Sequence, residues 1–179
     1  MDAKGKKYYT WNDLVYYCKY SANPVGRFVI DLIYQKKKLL QTNFEEIYLA
    51  SDSLCTSLQI INHLQDCRKD FQELRRIYIP KSFFKKYSVD EEILNLRDSN
   101  ANFLDLISEM VEKVENMLSK SDKGLRMIGP WSLRKETLII FNIAKRLCYL
   151  LKNEDVLRKN VKLSRIDLIF CFIKGIIKP

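Results

Sequence analysis

Between Asn100 and Asp122 the apolar residues Phe103, Leu104, Ile107, Met110, Val111, Val114 and Leu118 recur at short helical intervals, the period of one buried helix face rather than of a strand. Little in the chain would interrupt such elements: its 179 residues include 5 Gly and 4 Pro beside a hydrophobic fraction of 47%. That composition favours long regular segments over a disordered or loop-dominated chain. The length suits one domain able to bury a core without disulfides or metals. Nothing alternates as a strand would, so the expected fold class is all-α.

Further helices follow from local signals. An apolar pattern starts at Trp11-Asn12-Asp13 and runs to about Lys38, with a bend expected at Asn23-Pro24 and Gly26. Thr42 or Asn43 caps a second helix that carries Glu45 and Glu46 in its first turn and continues to about Phe71. Pro80 opens a short helix holding Phe83 and Phe84, and Ser88 with Glu91 has capping-box spacing. Gly124 to Pro130 reads as a loop. Helices are expected from Leu133 to Leu151 and, from Ser164 with Asp167 three places on, to Ile177.

The formal charge of +9 favours anionic partners such as nucleic acid, an acidic membrane surface or phosphorylated small molecules. Lys36-Lys37-Lys38 and Lys85-Lys86 are most simply solvated helix ends, with anionic membrane contact in reserve. No helix-turn-helix, zinc or aromatic-basic RNA motif is present, which disfavours nucleic acid. Five cysteines, without a close pair, read as reduced thiols, mostly buried. The N-terminus leads into no apolar signal segment, and Leu168 to Ile173 is too short to span a bilayer, so a cytoplasmic protein is expected. Peripheral contact at the inner membrane surface is compatible with that expectation.

The chemistry concentrates on the second helix. At 100° per residue, Gln59, Asn62, Asp66 and Asp70 fall within an arc of roughly 80°, and Asp66 and Asp70 are the only aspartates in the chain four apart. Two carboxylates one turn apart can share magnesium, which prefers oxygen ligands and keeps waters beside substrate phosphate oxygens. Arg76 follows in Arg75-Arg76-Ile77-Tyr78-Ile79-Pro80, a planar cation able to bind phosphate by two hydrogen bonds. An isolated aspartate pair is more often a solvated helix face; the amides and the Arg-x-Tyr-x-Pro shift that balance. Tyr16 to Arg27 joins aromatic and small residues at the expected bend, where either a ligand or a neighbouring helix could lie against the backbone.

Together, Tyr17-Cys18-x-x-Ser21-Ala22-Asn23-Pro24-Val25-Gly26-Arg27 and Ser51-Asp52-x-x-Cys55-Thr56-x-Leu58-Gln59-x-x-Asn62-x-x-Gln65-Asp66-x-x-x-Asp70, followed by Arg76-Ile77-Tyr78-Ile79-Pro80, resemble the squalene and phytoene synthase family, and within it the hopanoid-pathway, squalene-synthase-like branch. Lys162-Leu163-Ser164-x-x-Asp167 is similar to its final helix. The resemblance implies an all-α isoprenoid synthase fold, here its C-terminal part over residues 1–179, lacking the N-terminal helices. It implies that Asp66 and Asp70 bind magnesium, that Gln59, Asn62 and Arg76 face diphosphate, and that Tyr17 acts near the reacting allylic centre. Ala22, Val25, Gly26 and Leu58 are implied for the prenyl pocket. His63, where an apolar residue is usual, is expected as a packed or solvent-facing side chain rather than an acid or base.

The implied activity is head-to-head prenyl transfer on farnesyl diphosphate with magnesium. These residues contain only the second of the family's two aspartate-rich helices, so a missing N-terminal half, on a separate polypeptide, is an expected partner. NADPH is compatible with some family reactions, but no residue pattern here supports it. Two other readings stay open: a catalytically inactive remnant, and a basic helical module binding nucleic acid or anionic membrane.

Overall fold

The computed structural model describes residues 8–37 and 44–177, and among the described residues helices alternate with short connections and no strand occurs. Helix α1 (Trp11–Ser21) starts on a capping box: Thr10 Oγ1 accepts from the Asp13 amide, and the Asp13 carboxylate accepts from the Thr10 amide at 2.8 Å. The chain breaks at Ala22 and resumes as α2 (Asn23–Lys37), one residue ahead of the expected bend. Pro24 falls in the first turn of α2, where a missing amide hydrogen removes no helical bond.

Helix α3 (Phe44–Gln65) is the central element; its expected caps Thr42 and Asn43 lie outside the described residues. The helix expected to reach Phe71 unbroken instead turns at Asp66 and continues as α4 (Cys67–Leu74). The bend keeps its hydrogen bonds, since Asp66 N–H donates to the Asn62 carbonyl at 3.0 Å and Asp70 N–H to that of Asp66 at 2.8 Å. Its cause is tertiary. Gln65 Nε2 donates to the Val161 carbonyl at 2.5 Å and Arg68 Nη1 to that of Leu157 at 2.8 Å, so flanking side chains are drawn toward a distant connection.

Pro80 precedes α5 (Lys81–Lys86), as expected. The cap expected at Ser88 is Asp90, whose carboxylate accepts from the Glu92 amide and starts a 3-10 turn at Glu91–Asn95. Ser88 takes a left-handed φ of 52° instead. Asn100 caps α6 (Ala101–Arg126), which runs through Gly124 where a loop was expected. That glycine faces α3: a Cβ there would stand 2.7 Å from the Glu46 carbonyl oxygen, so the helix persists because its smallest residue lies at a crossing. Helix α7 (Trp131–Asn153) starts slightly earlier than expected, and α8 (Arg165–Ile177) follows the Ser164–Asp167 capping box, with both reciprocal bonds formed.

Helices α3, α6 and α7 pack on one another, with α1 and α2 against each other and against α3, and α8 against α7. Phe103, Leu106, Ile107, Met110 and Leu118 of α6 are fully buried against Ile47, Ile60, Ile61 and Leu64 of α3. Leu104, read from the sequence as part of that apolar stripe, points outward and is exposed. All five cysteines are free thiols, four of them buried and Cys55 half-buried.

Candidate functional site

The site residues sit where α1, α3 and the segment after α4 meet. Lys81 and Ser82 amides donate to the Tyr8 and Tyr9 carbonyls at 2.9 Å each, tying the chain before α1 to the start of α5. This brings Tyr8 within 5.8 Å of Tyr78, ring to ring, and within 5.4 Å of Tyr17. Tyr17 is half-buried, and its ring centre lies 6.0 Å from both Tyr78 and His63.

His63 is packed at the centre of this cluster, 6% exposed. It stacks on Tyr78 with ring centres 3.5 Å apart and planes 10° from parallel, and the Gln59 amide nitrogen donates to its Nε2 at 3.1 Å. One imidazole thus joins Tyr17, Gln59 and Tyr78, which lie far apart in sequence. Sequence reasoning singled His63 out as a departure but not as this junction, because stacking across three segments leaves no periodic signal.

Asn62 is exposed on α3, while Gln59, Asp66 and Asp70 are half-buried. Asp66 occupies the bend itself, and Asp70 lies one turn into α4. Arg75 closes α4 in the left-handed conformation at φ 53°, which is costly for a residue with a Cβ. The next amide, Arg76 N–H, donates to the Asp70 carbonyl at 3.1 Å. A main-chain hydrogen bond therefore sets the cation-bearing residue beside the second aspartate.

Next to Asp66 a cleft of about 240 Å³ is lined by basic Arg68, Lys69, Arg158 and Lys159, with Glu73 opposite in charge. The aspartates provide only part of a coordination shell: among the described residues no group of three or more His, Cys, Asp or Glu side chains could hold a metal ion. Two half-buried carboxylates fit magnesium, which binds through one or two carboxylates and completes its shell with water and substrate phosphate. They do not make a closed structural cage.

The residues expected in a prenyl pocket are placed less uniformly. Gly26 lies at the crossing of α2 and α3, where a Cβ would overlap Ser51 Oγ and stand 2.6 Å from Cys55 Sγ. Leu58 is half-buried against the core, and Val25 is exposed. A hollow of about 310 Å³ at the α1–α2 break is lined by Asn12, Val15, Tyr16, Lys19, Asn23 and Asp52; Ala22, Val25, Gly26 and Leu58 do not line it. Around it, Arg27 makes two bonds to Asp52, at 2.9 and 2.5 Å, and buried Asn23 accepts from Thr56 Oγ1 at 2.9 Å. The hydrogen bond to Asp52 raises the Arg27 pKa, while the bond from Tyr48 to the Asp31 carboxylate, with burial, pushes the Tyr48 phenol up to about 12. Burial pushes the Cys18 and Cys67 thiols up to about 12, which leaves them unreactive as nucleophiles.

Residues 1–167 match the family model for squalene/phytoene synthase. A hydroxysqualene synthase of Sinorhizobium fredii is 34% identical over 94% of this chain and 55% of its own length, and one from Rhodopseudomonas palustris is 32% identical over the same shares. Among solved structures, a dehydrosqualene synthase crystallised with a ligand superposes with a TM-score of 0.85 at 22% identity, over 99% of this chain and 60% of that one. The squalene synthase HpnC from Alicyclobacillus acidocaldarius gives 0.63 at 27% identity, over 83% of this chain and 56% of that one. The chain spans about half the length of the curated relatives it matches.

Proposed function

The chain belongs to the squalene/phytoene synthase family, and we propose that it forms the second-aspartate half of a head-to-head prenyl transferase site for farnesyl diphosphate. The observation that carries this reading is the single backbone path linking Asp66 at the bend, Asp70 one turn later and Arg76 bonded to the Asp70 carbonyl. A carboxylate pair and a cation-bearing residue are thereby held in fixed order along the main chain.

Asp66 and Asp70 would hold magnesium. When bound, the ion supplies positive charge that offsets the negative charge of a departing diphosphate. Gln59 and Asn62 donate amide hydrogens, and Arg76 a planar pair, to phosphate oxygens. Gln59 is oriented for this by its bond to His63. Tyr17 lends its ring from the aromatic cluster with Tyr8, His63 and Tyr78, where π faces would stabilise a developing allylic cation. The remaining helices of the site, including the first aspartate-rich one, belong to the part of the family fold that this chain does not cover. The coverage of about half of each relative supports this.

The test is magnesium-dependent diphosphate release from farnesyl diphosphate, by this chain alone and then with the N-terminal half of a hydroxysqualene synthase relative. Release in the mixture that is abolished by Asp66→Asn or Asp70→Asn, with helical circular dichroism unchanged, supports the assignment. Unchanged release in those variants overturns the magnesium role. No release and no binding of farnesyl diphosphate in either sample establishes a catalytically inactive remnant.

A further inference from the structure

The connection between α7 and α8 carries the run Val156-Leu157-Arg158-Lys159-Asn160. It lies against α4 because Gln65 and Arg68 donate to the Val161 and Leu157 carbonyls. Between the two runs the cleft of about 240 Å³ opens beside Asp66. Gln65, Arg68, Lys69 and Gln72 line it at helical spacing, on a face roughly 100° from the stripe of Gln59, Asn62, Asp66 and Asp70 when counted at 100° per residue. Gln59, Asn62, Asp70 and Arg76 do not line the cleft; Asp66 alone belongs to both the cleft and the stripe.

We propose that this cleft is a second anion site, taking free inorganic diphosphate once it has left the aspartate stripe; the inference rests on the reading above only for the source of that ion. The lining carries four cations, Arg68, Lys69, Arg158 and Lys159, against two acids, Asp66 and Glu73. Lys69 is exposed and enters no ion pair among the described residues. Arg158 and Lys159 pair with Asp98 and Glu154, which lie outside the lining, in surface pairs that solvent weakens. Arg68 is fixed by its 2.8 Å bond to the Leu157 carbonyl, while its Nε is buried with no hydrogen-bond partner. A guanidinium with an unspent donor gains from an oxyanion, since charged donors and acceptors make the stronger hydrogen bonds. The apolar lining selects the free ion over a prenyl ester: Leu157 and Val156 are 1% and 4% exposed, which leaves no surface for a prenyl tail. No aromatic residue lines the cleft, so it lacks the stacking platform that single-stranded nucleic acid uses.

The experiment titrates inorganic diphosphate into the chain by calorimetry with EDTA present. Without magnesium the carboxylates of the stripe repel the ion, so the binding that remains reports the cleft. The chain is compared with Lys69→Gln/Lys159→Gln, with Lys69→Arg/Lys159→Arg, and with Lys120→Gln/Lys145→Gln, which removes the same charge from exposed lysines elsewhere. Magnesium-free binding is expected for the chain as it stands, weakened at least about tenfold in the first variant and retained in the other two. Circular dichroism controls for folding of each variant.

Equal binding by the chain and the Lys69→Gln/Lys159→Gln variant overturns the proposal. So does an absence of magnesium-free binding, or an equal loss in the Lys120→Gln/Lys145→Gln control, which would mark net charge alone. Binding of farnesyl diphosphate or of anionic phospholipid vesicles that depends on Lys69 and Lys159, where inorganic diphosphate does not bind, also overturns it and gives the cleft to an esterified head group. The two proposals fail separately: Asp70→Asn, outside the cleft, removes magnesium-dependent release but leaves magnesium-free binding intact, so the loss of one without the other identifies which has failed.

Discussion

At the residue scale, His63 makes a contact that the neighbouring motif residues do not make for themselves. Its Nε2 holds the Gln59 amide and its face covers Tyr78, so it fixes one proposed diphosphate ligand and one aromatic ring together. His63→Leu keeps an apolar body in the same space but leaves the amide without that acceptor. The expected loss is about 1 kcal/mol of stability, read from urea unfolding, together with weaker magnesium-dependent binding of inorganic diphosphate, read by calorimetry. A variant as stable and as tight as the wild type would show that the contact is incidental. The thiols give a second prediction. With burial raising the pKa of each of the five cysteines, thiolate is scarce at neutral pH. Iodoacetamide at pH 7.5 should label the native chain slowly and label five sites once urea unfolds it.

At the element scale, the three glycine crossings, at Gly26, Gly124 and Gly175, are where helix position is most constrained. Gly175 lets α8 approach the α7 backbone, with Ile139 N and Cα at 2.8 and 2.9 Å from where a Cβ would stand. Backbone atoms cannot rotate aside as a side-chain tip can, so Gly175→Ala must move the helix. Despite the better helix propensity of alanine, the expected outcome is a loss of about 1–3 kcal/mol, read as a lower melting temperature. The α3–α4 bend obeys the same logic. It follows from Gln65 and Arg68 reaching the 157–161 connection, and a continuous helix would carry both donors away from those carbonyls.

For the whole molecule, acid stability depends on carboxylates that join distant segments. Burial raises the Asp155 pKa, but bonds from the Ser99 hydroxyl and amide and from the Leu157 and Arg158 amides outweigh it and leave the value lowered. The Ser164 hydroxyl and amide, with Arg146, lower that of Asp167, and Lys86 and Tyr87 lower that of Glu109. A carboxyl whose folded value lies below its unfolded one contributes stability that is present above the usual carboxylate range and is lost as pH falls through the folded value. The chain should therefore keep its helical circular dichroism down to about pH 4 and lose it below. Asp155→Asn should flatten that loss while lowering stability at neutral pH, because nothing there titrates and the amide nitrogen cannot accept the backbone bond from Ser99 or Leu157 that a carboxylate oxygen accepts. An acid transition of the same slope in the variant would place the sensitive group elsewhere. Membrane insertion has no support from helix length: among the described residues no helix is long and apolar enough to cross a bilayer.

Much of this was legible in the residues because it depends on local spacing. The all-α class, the capping box at Ser164, the helix beginning near Asn100 and the family resemblance follow from patterns within a few turns of helix, where the main chain alone sets who is near whom. What depended on contacts between distant segments was not legible. The bend at Asp66, the continuation of α6 through Gly124, the placement of Gly26 at a helix crossing and the junction at His63 each depend on partners in other segments of the chain, beyond the reach of any helical period. Periodicity marks which face of a helix is apolar but not what covers it. The sequence therefore determined the helices and the aspartate motif, while tertiary packing decided how the motif bends and which face of α8 meets α7, because both are set by which neighbours are present.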